Sequence, residues 1–392
     1  MNNPFQPRAS SFDASAIHQT IQRAFASAGL DTATGPMHDV TETIRRALAA
    51  GGLAAGGLAA GGLAGAVPQS DGDGARVVAG GSFEAHSFSN DAGSRTYKLY
   101  IPPGTTDAPR AVVVMLHGCT QSADDFAAGT QMNRLADEQG FLVVYPEQAS
   151  QANASKCWNW FKPQDQMRGA GEPSLIAGIV REVVKKHQAD PRRIYVAGLS
   201  AGAAMAVVMG ETYPDLFAGV GAHSGLAYGS AHDIPSAMAA MKGGRSGMSH
   251  LKPLPGAAAM PRRKAEQAVP LIVFHGDRDH TVQQTNGAHL VQQARDAHNA
   301  QAGKSQLQAS TEPGVAPEGQ GFSRTVYEDT QGQVQIESWT LHGAGHAWSG
   351  GHASGSYTDR HGPDASAEMV RFFLALPHAA RGAITGASDG QP

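Results

Sequence analysis

Short, uninterrupted apolar runs alternate with stretches of helical periodicity over the middle and C-terminal parts of the chain. Runs that are apolar throughout, rather than at every second position, are typical of strands buried on both faces of a parallel sheet. The predicted strands are 97–101, which reads as an early antiparallel strand, and then 111–117, 141–145, 193–197, 217–222, 271–275 and 336–341.

Between these runs, apolar residues recur at helical spacing and predict helices over 172–188, 203–213, 286–299 and 365–376. Strands that alternate with helices indicate an α/β protein with a mostly parallel, doubly wound sheet. The stretch 227–268, between the strands at 217–222 and 271–275, is long, poorly periodic and rich in Gly, Ala, Met and Pro. We interpret it as a partial cap at the rim of the sheet.

The first 75 residues differ from the rest. Residues 49–63 are three copies of Ala-Ala-Gly-Gly-Leu, a repeat that disfavours a helix and cannot build a core. Two amphipathic stripes, around 17–28 and 40–48, precede the repeat and would form either a weakly docking helical leader or an attachment element for an apolar surface. We therefore predict a flexible leader over 1–75, a catalytic domain over 76–378 and a disordered tail over 379–392.

Composition narrows the choice of partners. The 392 residues carry a formal net charge of −4 without a basic cluster, so a nucleic-acid partner is not expected. No stretch approaches 18 uninterrupted apolar residues, so no membrane span is expected. The 17 histidines are scattered without a metal-binding pattern, so no metal site is expected either.

The pentapeptide 198–202, Gly-Leu-Ser-Ala-Gly, carries the strongest chemical signal. It lies between the strand at 193–197 and the small-residue helical run that follows. A G-x-S-x-G sequence at such a turn lifts the serine hydroxyl clear of the sheet, where a histidine can reach it. This context predicts that Ser200 is a nucleophile.

Two further strand ends supply an acid and a base in the order Ser, Asp, His. That is the chain order of α/β-hydrolases. Asp279 follows the strand 271–275, and His346 lies in the glycine-rich loop after 336–341. The loop after 111–117 would place the amide of Cys119 beside that of Ala201 as an oxyanion hole.

Each assignment has a rival. Asp277 lies in the same loop as Asp279, but the spacing His-Gly-x-x-Asp-x-x-Val favours Asp279 and makes Asp277 a loop cap. His342 is still within the strand, and His352 lies past the glycine loop, so His346 is the preferred base.

Aromatic residues near these loops are candidates for substrate binding. Trp158, Trp160 and Trp348 would either be core aromatics or rim indoles that grip an apolar acyl chain. His117 ends the strand 111–117 and would support the oxyanion loop, contact the substrate or act as a catalytic base.

With these residues in place, the chain resembles the esterase family that includes poly(3-hydroxybutyrate) depolymerases. The resemblance covers about residues 90 to 376. It rests on the motifs at 117–121 (HGCTQ), 136–147 (ADEQGFLVVYPE), 157–161 (CWNWF), 198–202 (GLSAG) and 346–348 (HAW).

The resemblance implies an α/β-hydrolase fold with Ser200 as nucleophile, Asp279 as acid and His346 as base. Cys119 matches the position beside the oxyanion hole, and Cys157 matches a cysteine that can pair with it. The two cysteines, the only ones in the chain, would otherwise be reduced, buried apolar residues.

From the sequence we expect neither a Thr-rich or fibronectin-like linker nor a C-terminal polymer-binding domain, and in this the chain would depart from secreted polymer-degrading members. The resemblance favours an extracellular location. The N-terminus lacks the unbroken apolar region of a secretory signal, which leaves a cytoplasmic location open.

We therefore expect a serine carboxylic ester hydrolase that cleaves poly- or oligo(3-hydroxybutyrate)-type or other short-chain esters through an acyl-serine intermediate. Its partner would be the ester substrate, and the reaction needs no cofactor. A feruloyl or acetylxylan esterase is the alternative within the same class. A non-catalytic binding module on a hydrolase scaffold is the alternative outside it.

Overall fold

The computed structural model describes residues 81–104, 108–244, 268–301 and 306–377. The predicted leader 1–75, the domain boundary at 76, the tail 379–392 and most of the predicted cap lie outside these ranges. The domain boundaries therefore stay predictions.

Within the described ranges, the strands and helices follow one another along the chain. The strands are β1 (Ser82–Asn90), β2 (Gly93–Ile101), β3 (Val112–Leu116), β4 (Leu142–Pro146), β5 (Ile194–Leu199), β6 (Gly219–His223), β7 (Leu271–Gly276), β8 (Gln308–Val315), β9 (Gly321–Glu328), β10 (Val334–Leu341), β11 (Trp348–Ser349) and β12 (Thr358–Asp359). The helices are α1 (Ala123–Thr130), α2 (Met132–Gln139), α3 (Gly171–His187), α4 (Ala201–Thr212), α5 (Ile234–Met241), α6 (Thr285–Asn299) and α7 (Ala365–Ala375), with a 3₁₀ turn at Pro163–Gln166.

Ten of these strands form one sheet in the order β1-β2-β4-β3-β5-β6-β7-β10-β9-β8. The six central strands, from β4 to β10, are parallel. Antiparallel strands extend the sheet at both ends, β1 and β2 on one side and β9 and β8 on the other. The mostly parallel, doubly wound sheet predicted from the sequence is confirmed.

Successive side chains of the central strands enter two separate cores, one on each face of the sheet. In β3, Val112 and Val114 join the core that packs against α3 and α4, whereas Val113 joins the core beneath α1, α2 and α7. Both faces are therefore sealed by helices, which explains why these strands are apolar at every position rather than at every second one.

The winding direction of the sheet changes beside β3. The chain passes from β3 outward to β4 and then crosses back to β5 on the other side of β3. Open α/β sheets bind ligands in the crevice at such a switch point, outside the carboxyl ends of the strands. The loops after β3, β5, β6, β7 and β10 all leave this same edge, because these strands are parallel.

The antiparallel strands at the margins were less visible in the sequence. The prediction contained β2 but not β1, β8 or β9. Most side chains of β8 are exposed and those of β9 are half-buried, so neither strand carries the continuous apolar run of a central strand. β8 also contains a proline and a glycine, residues that are tolerated at a sheet edge.

The described part of the predicted cap is short. It contains α5, which is held near the loop after β7 by two hydrogen bonds. The amide of Gln283 donates to the carbonyl of Met241 at 2.8 Å, and Asn286 Nδ2 donates to the carbonyl of Ala240 at 3.0 Å. Residues 245–267 of the predicted cap lie outside the described ranges.

Candidate active site

Ser200 occupies a tight turn between β5 and α4. Its backbone has φ 57° and ψ −119°, a conformation that is strained for a residue with a β-carbon. The amide of Ser200 donates to the carbonyl of His223 at 2.9 Å, which ties the turn to the end of β6. Gly198 and Gly202 are required by close packing, since a β-carbon at either would overlap the carbonyl of Leu116.

Asp279, which is buried, and His346, which is half-buried, form a hydrogen-bonded pair at the same edge of the sheet. Asp279 Oδ2 accepts from His346 Nδ1 at 2.7 Å, and Asp279 Oδ1 accepts from the amides of Thr281 and Val282 at 2.9 and 2.8 Å. Since Nδ1 donates to the carboxylate, His346 Nε2 is left to take up a proton.

Two opposing effects set the ionisation of Asp279. Burial opposes the charged form, but the hydrogen bond and positive charge of His346, together with the Val282 amide, outweigh it. The pKa of Asp279 is therefore held below its ordinary value. A carboxylate that stays charged can stabilise the imidazolium form of His346.

Ser200 and His346 come from loops on the same edge. The described hydrogen bonds nevertheless include none between the Ser200 hydroxyl and His346. Catalytic hydrogen bonds in unliganded enzymes are often long and tighten when substrate binds.

The loop after β3 packs directly against the serine turn. The amide of Gly118 donates to Gln121 Oε1 at 2.9 Å, which shapes this loop. Ala201 is the first residue of α4, so its amide has no carbonyl partner within the helix. Among the described residues, the amide of Cys119 has no hydrogen-bond acceptor either. Both amides predicted as oxyanion donors are thus available.

A disulfide joins Cys119 to Cys157, with their Cα atoms 4.2 Å apart, as the resemblance implied. The adjacent amide of Thr120 donates to the carbonyl of Ser155 at 2.7 Å. The loop after β3 is therefore cross-linked to the segment 155–160, which we call the strap.

The strap rests on a buried carboxylate. Glu172 is 3% exposed and accepts from both the amide and the side chain of Asn159 at 2.7 Å. Arg95 Nη2 lies 3.2 Å from the same carboxylate, and Gln148 donates to it as well. These buried hydrogen bonds hold the strap, and through the disulfide the loop after β3, although Arg95 Nε has no hydrogen-bond partner among the described residues.

His117 supports this loop instead of facing the substrate. It is 1% exposed, its Nε2 accepts from the amide of Gln148 at 3.0 Å, and its Nδ1 donates to the carbonyl of Gly118 at 2.7 Å. Burial lowers the pKa of His117, which favours the neutral ring that can both donate and accept. The structure thus favours the supporting role over the substrate contact.

The three tryptophans considered for substrate binding lie in the core. Trp158, Trp160 and Trp348 are 0%, 6% and 1% exposed. Trp348 packs between Phe126 and His223, and its indole nitrogen donates to Ser366 at 3.0 Å. Their large apolar surface is buried more favourably against the two cores than left at a wet rim, so the structure favours the core alternative over the rim alternative.

The rival residues form a second, exposed pair. Asp277 lies 3.2 Å from His342 Nδ1 and accepts from the Gly343 amide at 2.7 Å, so it caps this loop. Ser323 Oγ lies 2.9 Å from His342 Nε2, so Ser323, His342 and Asp277 form a hydrogen-bonded series of side chains on the surface. Ser323 lies within β9, however, and not at a strained turn before a helix. His352 bonds Ser354 at 2.7 Å.

His223 is a site residue that the sequence analysis missed. Its carbonyl holds the Ser200 amide, and its Nε2 accepts from the amide of Ser349 at 3.0 Å, in the loop that carries His346. The ring is fully buried and stacks on Phe274 and Trp348. Burial, with the charges of neighbouring histidines, lowers the pKa of His223 to about 3, so the ring stays neutral. A histidine ending a buried apolar strand was the available signal.

Within the described residues, no three His, Cys, Asp or Glu side chains converge in an arrangement that could hold a metal ion. None of the helices in these ranges combines the length and apolarity needed to cross a bilayer.

The parallel sheet with its switch point, the strained serine turn and the Asp–His pair define an α/β-hydrolase. A family model described as Esterase PHB depolymerase matches residues 95–306, more than half of the chain. The chain belongs to this family.

Known relatives agree with this membership. The chain is 33% identical over 279 residues to poly(3-hydroxyalkanoate) depolymerase C of Paucimonas lemoignei, covering 67% of this chain and 61% of the relative. It is 38% identical over 141 residues to feruloyl esterase B of Neurospora crassa, covering 36% of this chain and 47% of the relative. The matches thus span less than two thirds of these relatives' own lengths.

A solved structure supports the fold. The acetyl xylan esterase from Aspergillus awamori superposes with a TM-score of 0.54 at 19% identity, covering 74% of this chain and 99% of that one.

Mutating the aspartate of each Asp–His pair should have different effects on kcat. We expect Asp279→Asn to lower kcat on a soluble p-nitrophenyl ester by about 10⁴, because the carboxylate fixes the tautomer of the base. Asp277→Asn, the matched control, should change kcat only a few-fold, since it affects an exposed loop cap. A larger loss in Asp277→Asn than in Asp279→Asn would reverse the assignment.

Loss of the disulfide should affect both stability and turnover. The disulfide closes a loop of 38 residues, so Cys157→Ser should lower the free energy of unfolding by about 3–4 kcal/mol. It should also lower kcat, by less than the 10²–10³ typical of losing a whole oxyanion donor. Denaturant unfolding and kcat, each with and without reductant, measure both effects. Cys157→Ser should not respond to reductant, and an equal response in wild type and variant would contradict the prediction.

Buried neutral histidines should make the fold sensitive to acid. The pKa values of His117, His223 and His275 are all lowered, mainly by burial. The unfolded chain therefore binds more protons below about pH 6.5, so the free energy of unfolding falls as pH falls. Each histidine contributes a slope of up to about 1.4 kcal/mol per pH unit.

Denaturant unfolding between pH 7.5 and pH 5 tests this prediction. His223→Gln retains an acceptor for the Ser349 amide but cannot titrate, so its stability should depend less steeply on pH. The exposed control His352→Gln should keep the wild-type slope. An unchanged slope in His223→Gln would show that His223 does not contribute.

Proposed function

We propose that the protein is a serine carboxylic ester hydrolase that works through an acyl-serine intermediate. The observation that carries this proposal is the 2.7 Å hydrogen bond between buried Asp279 and His346, at the sheet edge where Ser200 occupies its strained turn. Family membership over residues 95–306 supports it independently.

The residues have separate roles in the reaction. Ser200 Oγ attacks the ester carbonyl while His346 Nε2 takes its proton and then passes it to the leaving alcohol. Asp279 keeps the proton of His346 on Nδ1 and stabilises the imidazolium form. Water then attacks the acyl-serine by the reverse route, which releases the acid and restores Ser200.

The oxyanion formed during attack would be bound by two backbone amides. The Cys119 amide is held in place by the disulfide and the strap, and the Ala201 amide by the start of α4. Fixed donors cost no reorganisation when charge develops, and each is worth about 3–4 kcal/mol in comparable enzymes.

For the substrate, we propose poly- or oligo(3-hydroxybutyrate)-type or other short-chain esters. The support is the match to a poly(3-hydroxyalkanoate) depolymerase over 279 residues, about twice the 141 residues matched to a feruloyl esterase. A feruloyl or acetylxylan esterase is the second candidate, since relatives carrying those names also match. Contact of the leader 1–75 with an apolar surface stays a prediction from the sequence.

The nucleophile is tested by Ser200→Ala in a panel of p-nitrophenyl esters, 3-hydroxybutyrate trimer, a feruloyl ester and amorphous polymer. The variant should lose ester hydrolysis by about 10⁶, because the other triad members cannot act without the nucleophile. Ser323→Ala removes the hydroxyl of the exposed Ser–His–Asp chain and is the matched control, with activity close to wild type.

The panel also separates the candidate functions. Preference for the trimer supports the hydroxyalkanoate assignment, and preference for the feruloyl ester supports the second candidate. A wild-type protein that hydrolyses nothing in the panel would point to a binding module. Activity above about one per cent in Ser200→Ala would exclude Ser200 as the nucleophile.

A further inference from the structure

One aromatic side chain does lie at the rim, although it is not a tryptophan. Tyr357 is 43% exposed, and its backbone has φ 52°, in the left-handed region. Large side chains rarely adopt this conformation, and residues held in it concentrate at functional sites. An exposed aromatic ring in a strained backbone therefore calls for an explanation.

Tyr357 is held between the loops that carry the base and the oxyanion donor. Its carbonyl accepts from the amide of Trp348 at 2.7 Å, two residues after His346. Its hydroxyl lies 3.3 Å from Thr120 Oγ, next to Cys119. The backbone of Tyr357 thus contacts the loop that carries the proposed base, and its hydroxyl contacts the loop that carries the proposed oxyanion donor.

The segment carrying Tyr357 is fixed to the loop after β3. Asp125 accepts from the Ser356 amide at 2.9 Å, and Gln121 Nε2 donates to the Ser356 carbonyl at 3.1 Å. The same Gln121 accepts from the Gly118 amide at 2.9 Å. One glutamine therefore sets both the oxyanion loop and the position of Tyr357, so the ring is preorganised for contact.

We propose that Tyr357 is a substrate-contact residue that favours esters with an extended aliphatic chain. The inference rests on the proposed function. An acetyl group ends one carbon beyond the scissile carbonyl, whereas an oligomer continues along the rim and covers the ring. A fixed tyrosine offers a large apolar area at a small cost in side-chain entropy.

The experiment compares kcat/KM for 3-hydroxybutyrate trimer with kcat/KM for p-nitrophenyl acetate, and uses the ratio as the readout. Tyr357→Ala should lower this ratio about tenfold, mainly through KM for the trimer, as expected for about 1.4 kcal/mol of lost contact. Tyr357→Phe keeps the ring but loses the hydroxyl near Thr120, and should keep most of the ratio. Val315→Ala, at an exposed apolar residue on β8, is the control and should keep the wild-type ratio.

The outcomes separate this inference from the proposed function. If the ratio is unchanged in Tyr357→Ala while Ser200→Ala is inactive, the contact is wrong and the function stands. If the ratio falls as far in Tyr357→Phe as in Tyr357→Ala, Tyr357 acts only by supporting the oxyanion loop through its hydroxyl. If Tyr357→Ala lowers kcat/KM for a feruloyl ester more than kcat/KM for the trimer, the proposed preference for aliphatic chains is wrong. Full activity in Ser200→Ala would overturn the function itself.

Discussion

The tight turn at Ser200 is the constraint on which the rest of the site depends. A residue with a β-carbon is held at φ 57° because its amide bonds the His223 carbonyl and because α4 begins at the next residue. The turn also lies so close to the end of β3 that only glycine fits at Gly198 and Gly202. Strain of this kind persists only where the surroundings determine it, and here the end of β6 and the start of a helix do so.

The loops around this turn are fixed by buried polar contacts. On one side, the disulfide at Cys119 and the bonds to Glu172 hold the loop after β3. On the other, the neutral ring of His223 holds the loop of His346. Buried polar groups are costly when unpaired, so these contacts penalise alternative loop positions.

Environment, and not residue type, separates the two Asp–His pairs. Asp277 with His342 and Asp279 with His346 pair the same atoms, at 3.2 Å and 2.7 Å. The first pair is exposed to water, and its serine partner lies within a strand. In the second pair, Asp279 is buried and His346 is largely buried, at the edge of the sheet where Ser200 occupies its strained turn.

The sequence by itself determined the central parallel strands, the serine turn and the order of the three candidate residues, because apolar runs and glycine spacing are local properties of the chain. It did not reveal β1, β8 and β9, whose weak apolar patterns become strands only when a neighbouring edge offers hydrogen bonds. Only the tertiary structure decided that Trp348 is core while Tyr357 is exposed, since burial depends on which distant segments pack against a side chain. The role of His223 is likewise set by contacts between loops far apart in sequence, which local patterns do not encode.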